Sequence, residues 1–171
     1  DLAPTVADLF GLNAWDKWDG TSYADTLRNG SDTGRDTLVL SQGCHVCQRS
    51  VRWDNWLYMR TYHDGFHPHY EDEALFDLAA DPHETTNLLA DKPEIAGEGA
   101  RRLLDWHGEM MASMPFGYTT DPMQTVLDEG GPQHARPGFI PSLTEYAQRL
   151  RDTGRGEKVA EILARHPELD M

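Results

Sequence analysis

The sequence predicts an α+β fold, in which an antiparallel sheet of about four strands packs on a long helix and a helical C-terminal tail follows. Short runs between Thr37 and Leu78 are rich in β-branched and apolar residues and in part alternate with polar ones. Between Ala96 and Met114, apolar residues recur every three or four positions instead. Asp81-Pro82 separates the two patterns, because proline disfavours helix in the residue before it and marks a turn.

These patterns divide the 171 residues into three segments. We predict a connecting segment over 1-35, a sheet-plus-helix subdomain over 36-118 and a helical tail over 119-171. The first segment opens with a short helix from Leu2 to Leu12, with Pro4 in its first turn and Gly11 ending it. Its buried stripe is expected to contain Val6, Leu9 and Phe10.

Four strands are predicted in the middle segment. Asp54-Asn55 is a short turn, so the strands on either side of it are expected to form an antiparallel hairpin. The predicted strands run over residues 37–42, 49–53, 55–62 and 74–78.

The helix that covers the sheet is predicted to begin with Asp91 as its N-cap and to end at Pro115. Pro93 lies in its first turn, and Glu94 completes a capping box with Asp91. We interpret His107 as a histidine at the edge of the core rather than a ligand. The predicted buried stripe consists of Ala96, Ala100, Leu103, His107, Met110 and Met114, widened by Leu104 and Met111.

The tail contains three further helix patterns. One runs from Pro122 to Asp128, before a Gly-Gly-Pro turn. The next begins with a capping box from Ser142 to Glu145 and stops at Gly154. The last runs from Glu157 to Arg165.

The net charge of −14 and the pI near 4.8 disfavour nucleic acid and anionic membranes as partners, since phosphate binding requires clustered Lys and Arg. The acidic residues concentrate between Asp64 and Glu98, where Lys92 is the single Lys or Arg. Solvated acidic loops explain such a cluster. No run of apolar residues approaches the roughly 18 that a transmembrane helix needs.

Cys44 and Cys47 flank His45 and are three positions apart. This spacing is compatible with free, partly buried thiols, with a disulfide, or with half of a zinc site. The sequence has no second cysteine pair that would complete a zinc site.

The stretch from Ala74 to Leu89 ends a strand with Phe76-Asp77-Leu78 and continues with Asp81-Pro82, Glu84 and Asn87-Leu88. This pattern resembles a sequence found near the C-terminus of sulfatases, the arylsulfatase family of the alkaline-phosphatase-like superfamily. The segment from Asp1 to Gly11, with Pro4-Thr5 and Leu9, is similar to the one that closes the sulfatase catalytic domain, and a short helix from Ser22 to Leu27 follows it. The tail resembles one bacterial sulfatase subgroup.

The resemblance implies a C-terminal portion of a sulfatase that is periplasmic or extracellular. Sulfatases hydrolyse sulfate esters with a formylglycine made from Cys or Ser in Cys/Ser-x-Pro/Ala-x-Arg, beside a Ca²⁺ ion. Neither Cys44 nor Cys47 begins this motif, and neither Ser31 nor Ser113 completes it. His63-Asp64-Gly65 reverses a metal motif of the family. We therefore expect formylglycine and Ca²⁺ in the parent enzyme, no cofactor in this chain, and no activity of the chain alone.

The same resemblance implies the partners. They are the rest of the parent sulfatase chain and, in the full enzyme, a sulfated small molecule or sugar. The start at Asp1 suggests that a preceding catalytic part is missing, so an apolar face left exposed is expected to make the isolated chain self-associate.

Two groups of residues are candidates for the rim of a substrate pocket. The first is the loop with His63, His67 and His69, which is also compatible with a transition-metal site or with a plain solvated loop. The second consists of His45 and Arg49, together with Cys44. We predict no catalytic residue and no metal-binding residue within this chain.

Two other functions fit the same sequence. The chain is compatible with an independent interaction or metal-binding module that uses its His and Cys residues. It is also compatible with part of a related phosphate or phosphonate ester hydrolase, because only the nucleophile, which this sequence lacks, separates the two kinds of enzyme.

Overall fold

The computed structural model describes residues 1–31, 34–65, 70–115, 117, 119–132 and 139–165, with the backbone alone at 139–143 and 165. The chain divides into two compact units, Asp1–Asp36 and Thr37–Met171. The boundary predicted between 118 and 119 stays a prediction. In the described part of the chain, no helix combines the length and apolar character that crossing a membrane requires.

The first unit contains two short helices, α1 (Leu2–Leu9) and α2 (Ala24–Asn29). Thr5 connects them, because its hydroxyl accepts a hydrogen bond from the Tyr23 amide at 3.0 Å. The predicted buried stripe of α1 is wrong: Val6, Leu9 and Phe10 are exposed, whereas Pro4, Thr5 and Ala7 are buried. The buried face of α1 therefore consists of small and polar residues, because short side chains and hydrogen bonds make its contacts within the first unit.

The second unit contains a four-stranded antiparallel sheet with the strand order β1-β2-β3-β4. Asp54, in left-handed backbone conformation with φ of 45°, forms the predicted hairpin turn between β2 and β3. The strands are β1 (Thr37–Gln42), β2 (Cys47–Trp53), β3 (Trp56–His63) and β4 (Glu73–Asp77). The predicted strands agree with these to within two residues at each end.

The long helix α3 (Pro93–Ser113) packs on one face of the sheet, so the predicted α+β fold class is confirmed. The main core forms where they meet. Lys92, not Asp91, is the N-cap, and no side chain caps the helix. The core consists of Val51, Trp53, Tyr58 and Leu75 from the sheet, with Ala96 and Leu103 from α3.

Three helices form the tail: α4 (Pro122–Asp128), α5 (Phe139–Asp152) and α6 (Glu157–Arg165). The first and third have the predicted bounds. The capping box predicted at Ser142 to Glu145 is wrong, because α5 has already begun at Phe139. A second core cluster, separate from the first, joins α5 and α6 through Ala147, Leu150, Val159 and Ile162.

Candidate functional site

Arg49 lies at the centre of a largely buried, charged contact. It is on β2, opposite Ser41 of β1 and Arg60 of β3, on the face of the sheet that α3 covers. Its guanidinium forms a two-pronged ion pair with Asp121, with Nη1–Oδ2 and Nη2–Oδ1 distances of 2.5 and 2.6 Å. Its Nε also donates to the Ser41 hydroxyl at 3.2 Å. A planar guanidinium matches a carboxylate in this geometry.

Asp121 makes this contact from its position as the N-cap of α4. Its Oδ1 accepts a hydrogen bond from the Met123 amide at 2.9 Å. One carboxylate therefore begins a helix and neutralises a guanidinium of the sheet. The ion pair joins residues that are 72 positions apart in the chain.

Helix α3 completes the cluster with two aromatic side chains. His107 Nε2 lies 3.1 Å from Asp121 Oδ2, and the Trp106 ring lies 5.2 Å from the Arg49 guanidinium carbon. The interpretation of His107 as a histidine at the edge of the core is confirmed, since it is half-buried and lies within hydrogen-bonding distance of Asp121. We name Arg49, Asp121, His107 and Trp106 the arginine clamp.

The electrostatics of the clamp keep both members of the ion pair charged. Hydrogen bonds from Arg49 lower the pKa of Asp121 to about 2. The hydrogen bond with Asp121 raises the pKa of Arg49. Neither group can therefore exchange a proton near neutral pH, so this ion pair is suited to holding elements together and not to general acid–base catalysis.

His63 is the one member of the predicted histidine loop that lies within the described residues. Its Nδ1 accepts a hydrogen bond from the Gly65 amide at 2.9 Å, and its ring lies directly against Gly131. Gly131 has a φ of 92°, and a Cβ at this position would overlap the ring, so the turn after α4 needs glycine there. His67 and His69 lie outside the described residues, so their predicted role stays a prediction.

The second predicted group is only partly brought together. Cys47, which belongs to neither predicted group, pairs with His63 in the register of β2 and β3. Arg49 is engaged in the clamp, while His45 and Cys44 are exposed in the turn before β2. Cys44 and Cys47 form no disulfide, and burial raises the pKa of the Cys47 thiol. Within the described ranges, no group of three His, Cys, Asp or Glu is placed to hold a metal ion.

Sequence reasoning missed Asp121 as a partner of Arg49. The only local sign was that Asp121-Pro122 begins a helix, which predicts an N-cap but no charge partner. Two pockets border the clamp, one of about 500 Å³ toward β3 and one of about 380 Å³ toward the methionines at the end of α3.

No protein-family profile and no curated protein matches the chain. Among solved structures, BT4656 in complex with its substrate D-glucosamine-2-N,6-O-disulfate matches 67% of this chain and 24% of its own, with a TM-score of 0.54 and 19% identity. The proposed sulfatase yidJ from Bacteroides fragilis matches 72% of this chain and 25% of its own, with a TM-score of 0.49 and 18% identity.

The chain thus spans about a quarter of the length of these solved chains. At 19% identity, the BT4656 match establishes the fold alone. The resemblance to sulfatases stated from the sequence is confirmed at this level, as a shared fold over part of a larger chain.

Proposed function

We propose that this chain is the C-terminal portion of a sulfatase, an enzyme that hydrolyses sulfate esters, and that it supports the catalytic domain and the rim of the substrate pocket. The observation that carries the proposal is the fold shared with a quarter of the BT4656 chain. The motif residues add support, because Asp81 and Asn87 form the predicted strand-to-helix connection. A sulfated sugar, such as the substrate of BT4656, is the first substrate class to test.

The residues present do not fit the nucleophile or the metal of the proposed enzyme. The sequence lacks the Cys/Ser-x-Pro/Ala-x-Arg motif, and Ca²⁺ needs six or more converging oxygen ligands. Among the described residues that line the pocket of about 500 Å³, Asp121 is the one carboxylate, and it is committed to Arg49. We therefore propose that formylglycine and Ca²⁺ belong to the rest of the parent chain, and we derive no step through them.

Exposed apolar side chains in the first unit support the proposed partner, which is the rest of the parent chain. Apolar patches of this kind occur where one part of a protein packs on another. The most exposed of them include Leu2, Leu9, Phe10, Leu12 and Trp15.

The test is an assay of the longer protein that contains this chain, with 4-methylumbelliferyl sulfate and the matching phosphate as substrates. We expect hydrolysis of the sulfate ester, its loss when the motif Cys or Ser is replaced by Ala, and no hydrolysis by the 171-residue chain alone. Preference for the phosphate would instead assign a related phosphate ester hydrolase. A monomeric 171-residue chain that retains zinc after dialysis would contradict the proposal and favour a metal-binding module.

A further inference from the structure

The larger pocket beside the arginine clamp has the size of a small-molecule site. Its volume of about 500 Å³ lies within the range of ligand pockets. Strand β3 contributes alternate residues, which point to one face of the sheet, and α3 contributes residues one turn apart. The lining includes Arg60 and Tyr62 from β3, Arg101 and Leu104 from α3, Leu127 from α4, and the clamp pair Arg49 and Asp121.

Part of the lining is apolar although it is open to solvent. Leu104 is 68% exposed, in contrast to its predicted place in the buried stripe of α3. Leu127 also lines the pocket and is half-buried, whereas the lining residues Leu103 and Met123 are themselves buried. A ligand with an apolar body would remove this surface from water.

The lining of the pocket itself contains three arginines and one carboxylate, in a chain whose net charge is −14. Arg49 and Arg60 are directly opposite each other on neighbouring strands, an unfavourable arrangement for like charges. Asp121 is the one carboxylate among the lining residues, and both of its oxygens face Arg49. Asp121 therefore neutralises Arg49 and leaves the positive charge of Arg60 unneutralised by the clamp.

The existing partner of Arg60 holds it weakly. Glu73 Oε1 lies 3.7 Å from Arg60 Nη1, while the other oxygen of Glu73 accepts a hydrogen bond from the Tyr58 hydroxyl at 2.7 Å. Half of the Arg60 side chain is exposed. An exposed pair at this distance contributes little, so Arg60 can bond to an arriving anion.

Arg101 is a second guanidinium on the pocket wall. Its partner is Asp105, one turn further along α3 at 2.9 Å, and more than half of each side chain is exposed. Pairs of this kind on a helix surface are weak. Two exposed guanidinium groups thus accompany an aliphatic wall and the ring of Tyr62.

We propose that this pocket binds a carboxylate carried on an apolar, ring-sized body, with Arg60 and Arg101 holding the carboxylate and the leucine-rich wall holding the ring. A guanidinium binds a carboxylate through two parallel hydrogen bonds. Arg49 supplies positive potential but stays paired with Asp121. The site is independent of sulfate ester hydrolysis, so it can fail or succeed without affecting the proposed function.

The test is isothermal titration of the 171-residue chain with 2-naphthoate at low ionic strength. We expect saturable binding with one site per chain and a Kd below about 1 mM, as for a ligand of this size. The neutral isostere 2-naphthamide, which keeps the ring, and acetate, which keeps the charge, should each bind at least about tenfold more weakly.

Variants then locate the site. Arg60→Gln and Arg101→Gln should each weaken 2-naphthoate binding at least about fivefold. Arg52→Gln is the matched control, because Arg52 is exposed on the opposite face of the same sheet, and it should leave the Kd unchanged. Absence of saturable binding, equal binding of the amide, or equal effects of the Arg60 and Arg52 variants would overturn the proposal.

Discussion

At the scale of single residues, the ion pair of Arg49 and Asp121 attaches α4 to the sheet. The two side chains are only 9% and 15% exposed, so both charges have been removed from most of their water. The attraction between them offsets this desolvation only while both are present. Loss of one partner would leave the other charge buried and uncompensated.

Asp121→Asn tests this dependence. We expect it to lower the free energy of unfolding by about 3 kcal/mol, because the Arg49 charge stays buried without its counter-charge. Asparagine still caps α4, so the loss reports on the ion pair rather than on the N-cap. Urea unfolding followed by tryptophan fluorescence measures the change.

Two further variants control this measurement. Asp105→Asn removes an exposed pair on α3 and should cost no more than about 0.5 kcal/mol. Adding Arg49→Met to Asp121→Asn should restore part of the lost stability, because no unpaired charge remains. If the Asp121 and Asp105 variants lose the same amount, the clamp does not stabilise the fold.

The same ion pair predicts a dependence of stability on pH. The pKa of Asp121 falls from its ordinary 3.8 to about 2 in the folded chain. Because the pKa of Asp121 is lower in the folded chain than in the unfolded chain, its charged carboxylate stabilises the fold fully above the unfolded pKa. This stabilisation is lost as pH falls toward the folded pKa. The shift corresponds to about 2 kcal/mol of the free energy of unfolding. The stability difference between the wild type and Asp121→Asn should therefore stay constant above about pH 5 and shrink between about pH 4 and 2. A difference that persists unchanged at the acid end would show that the charge of Asp121 is not responsible.

At the scale of elements, the connection between β4 and α3 explains the motif from Ala74 to Leu89. Asn87 Oδ1 accepts hydrogen bonds from the Leu75 and Leu89 amides at 2.9 and 3.0 Å. Asp81 Oδ2 accepts bonds from the Thr85 and Thr86 amides at 2.7 and 2.8 Å. These side chains satisfy backbone groups in a segment without regular structure, which is a structural role and not a catalytic one.

The close approach of α3 to the sheet depends on Gly99. A Cβ at this position would overlap the side chain of Tyr58 and lie 2.9 Å from Trp53 Cη2. Gly99 is buried, although the predicted stripe of α3 does not include it. A side chain there would therefore push the helix away from the core.

Gly99→Ala should lower the free energy of unfolding by about 1–3 kcal/mol, because the methyl group overpacks the core. Gly97→Ala is the matched control in the same helix, where an added Cβ meets nothing within 4 Å. It should stabilise the chain by up to about 1 kcal/mol, since alanine favours helix. Thermal unfolding of both variants measures the difference, and a stabilising Gly99→Ala would refute the close contact.

At the scale of the whole molecule, the exposed apolar residues of the first unit predict association of the isolated chain. Phe10 is 78% exposed, and Leu9 and Leu12, its neighbours in the sequence, are exposed as well. Sedimentation velocity should show concentration-dependent self-association at micromolar concentrations, because a second copy can cover this patch. Phe10→Ser should weaken association at least about tenfold.

Met110→Ser is the control, since it replaces a less exposed apolar residue on α3 of the second unit. It should leave association close to that of the wild type. A chain that stays monomeric at about 100 μM would show that the exposed patch does not drive association.

The sequence by itself determined the features that depend on neighbouring residues. The strand at Thr37–Gln42 and the helices at Pro122–Asp128 and Glu157–Arg165 have their predicted bounds, because alternation, prolines and glycines act locally. The α+β class and the resemblance of fold to sulfatases followed from the order of these elements and from the motif around Asp81-Pro82.

Only the tertiary structure decided which residues meet. Arg49 and Asp121 are 72 positions apart, and no local pattern encodes a contact at that distance. The burial of residues in α3 also differs from the prediction, because it depends on which elements pack on the helix. Gly99 is buried and Leu104 is exposed, although the helical periodicity of the sequence predicts the opposite. Helical periodicity identifies a face of the helix, but the neighbouring strands and helices determine how much of that face is covered.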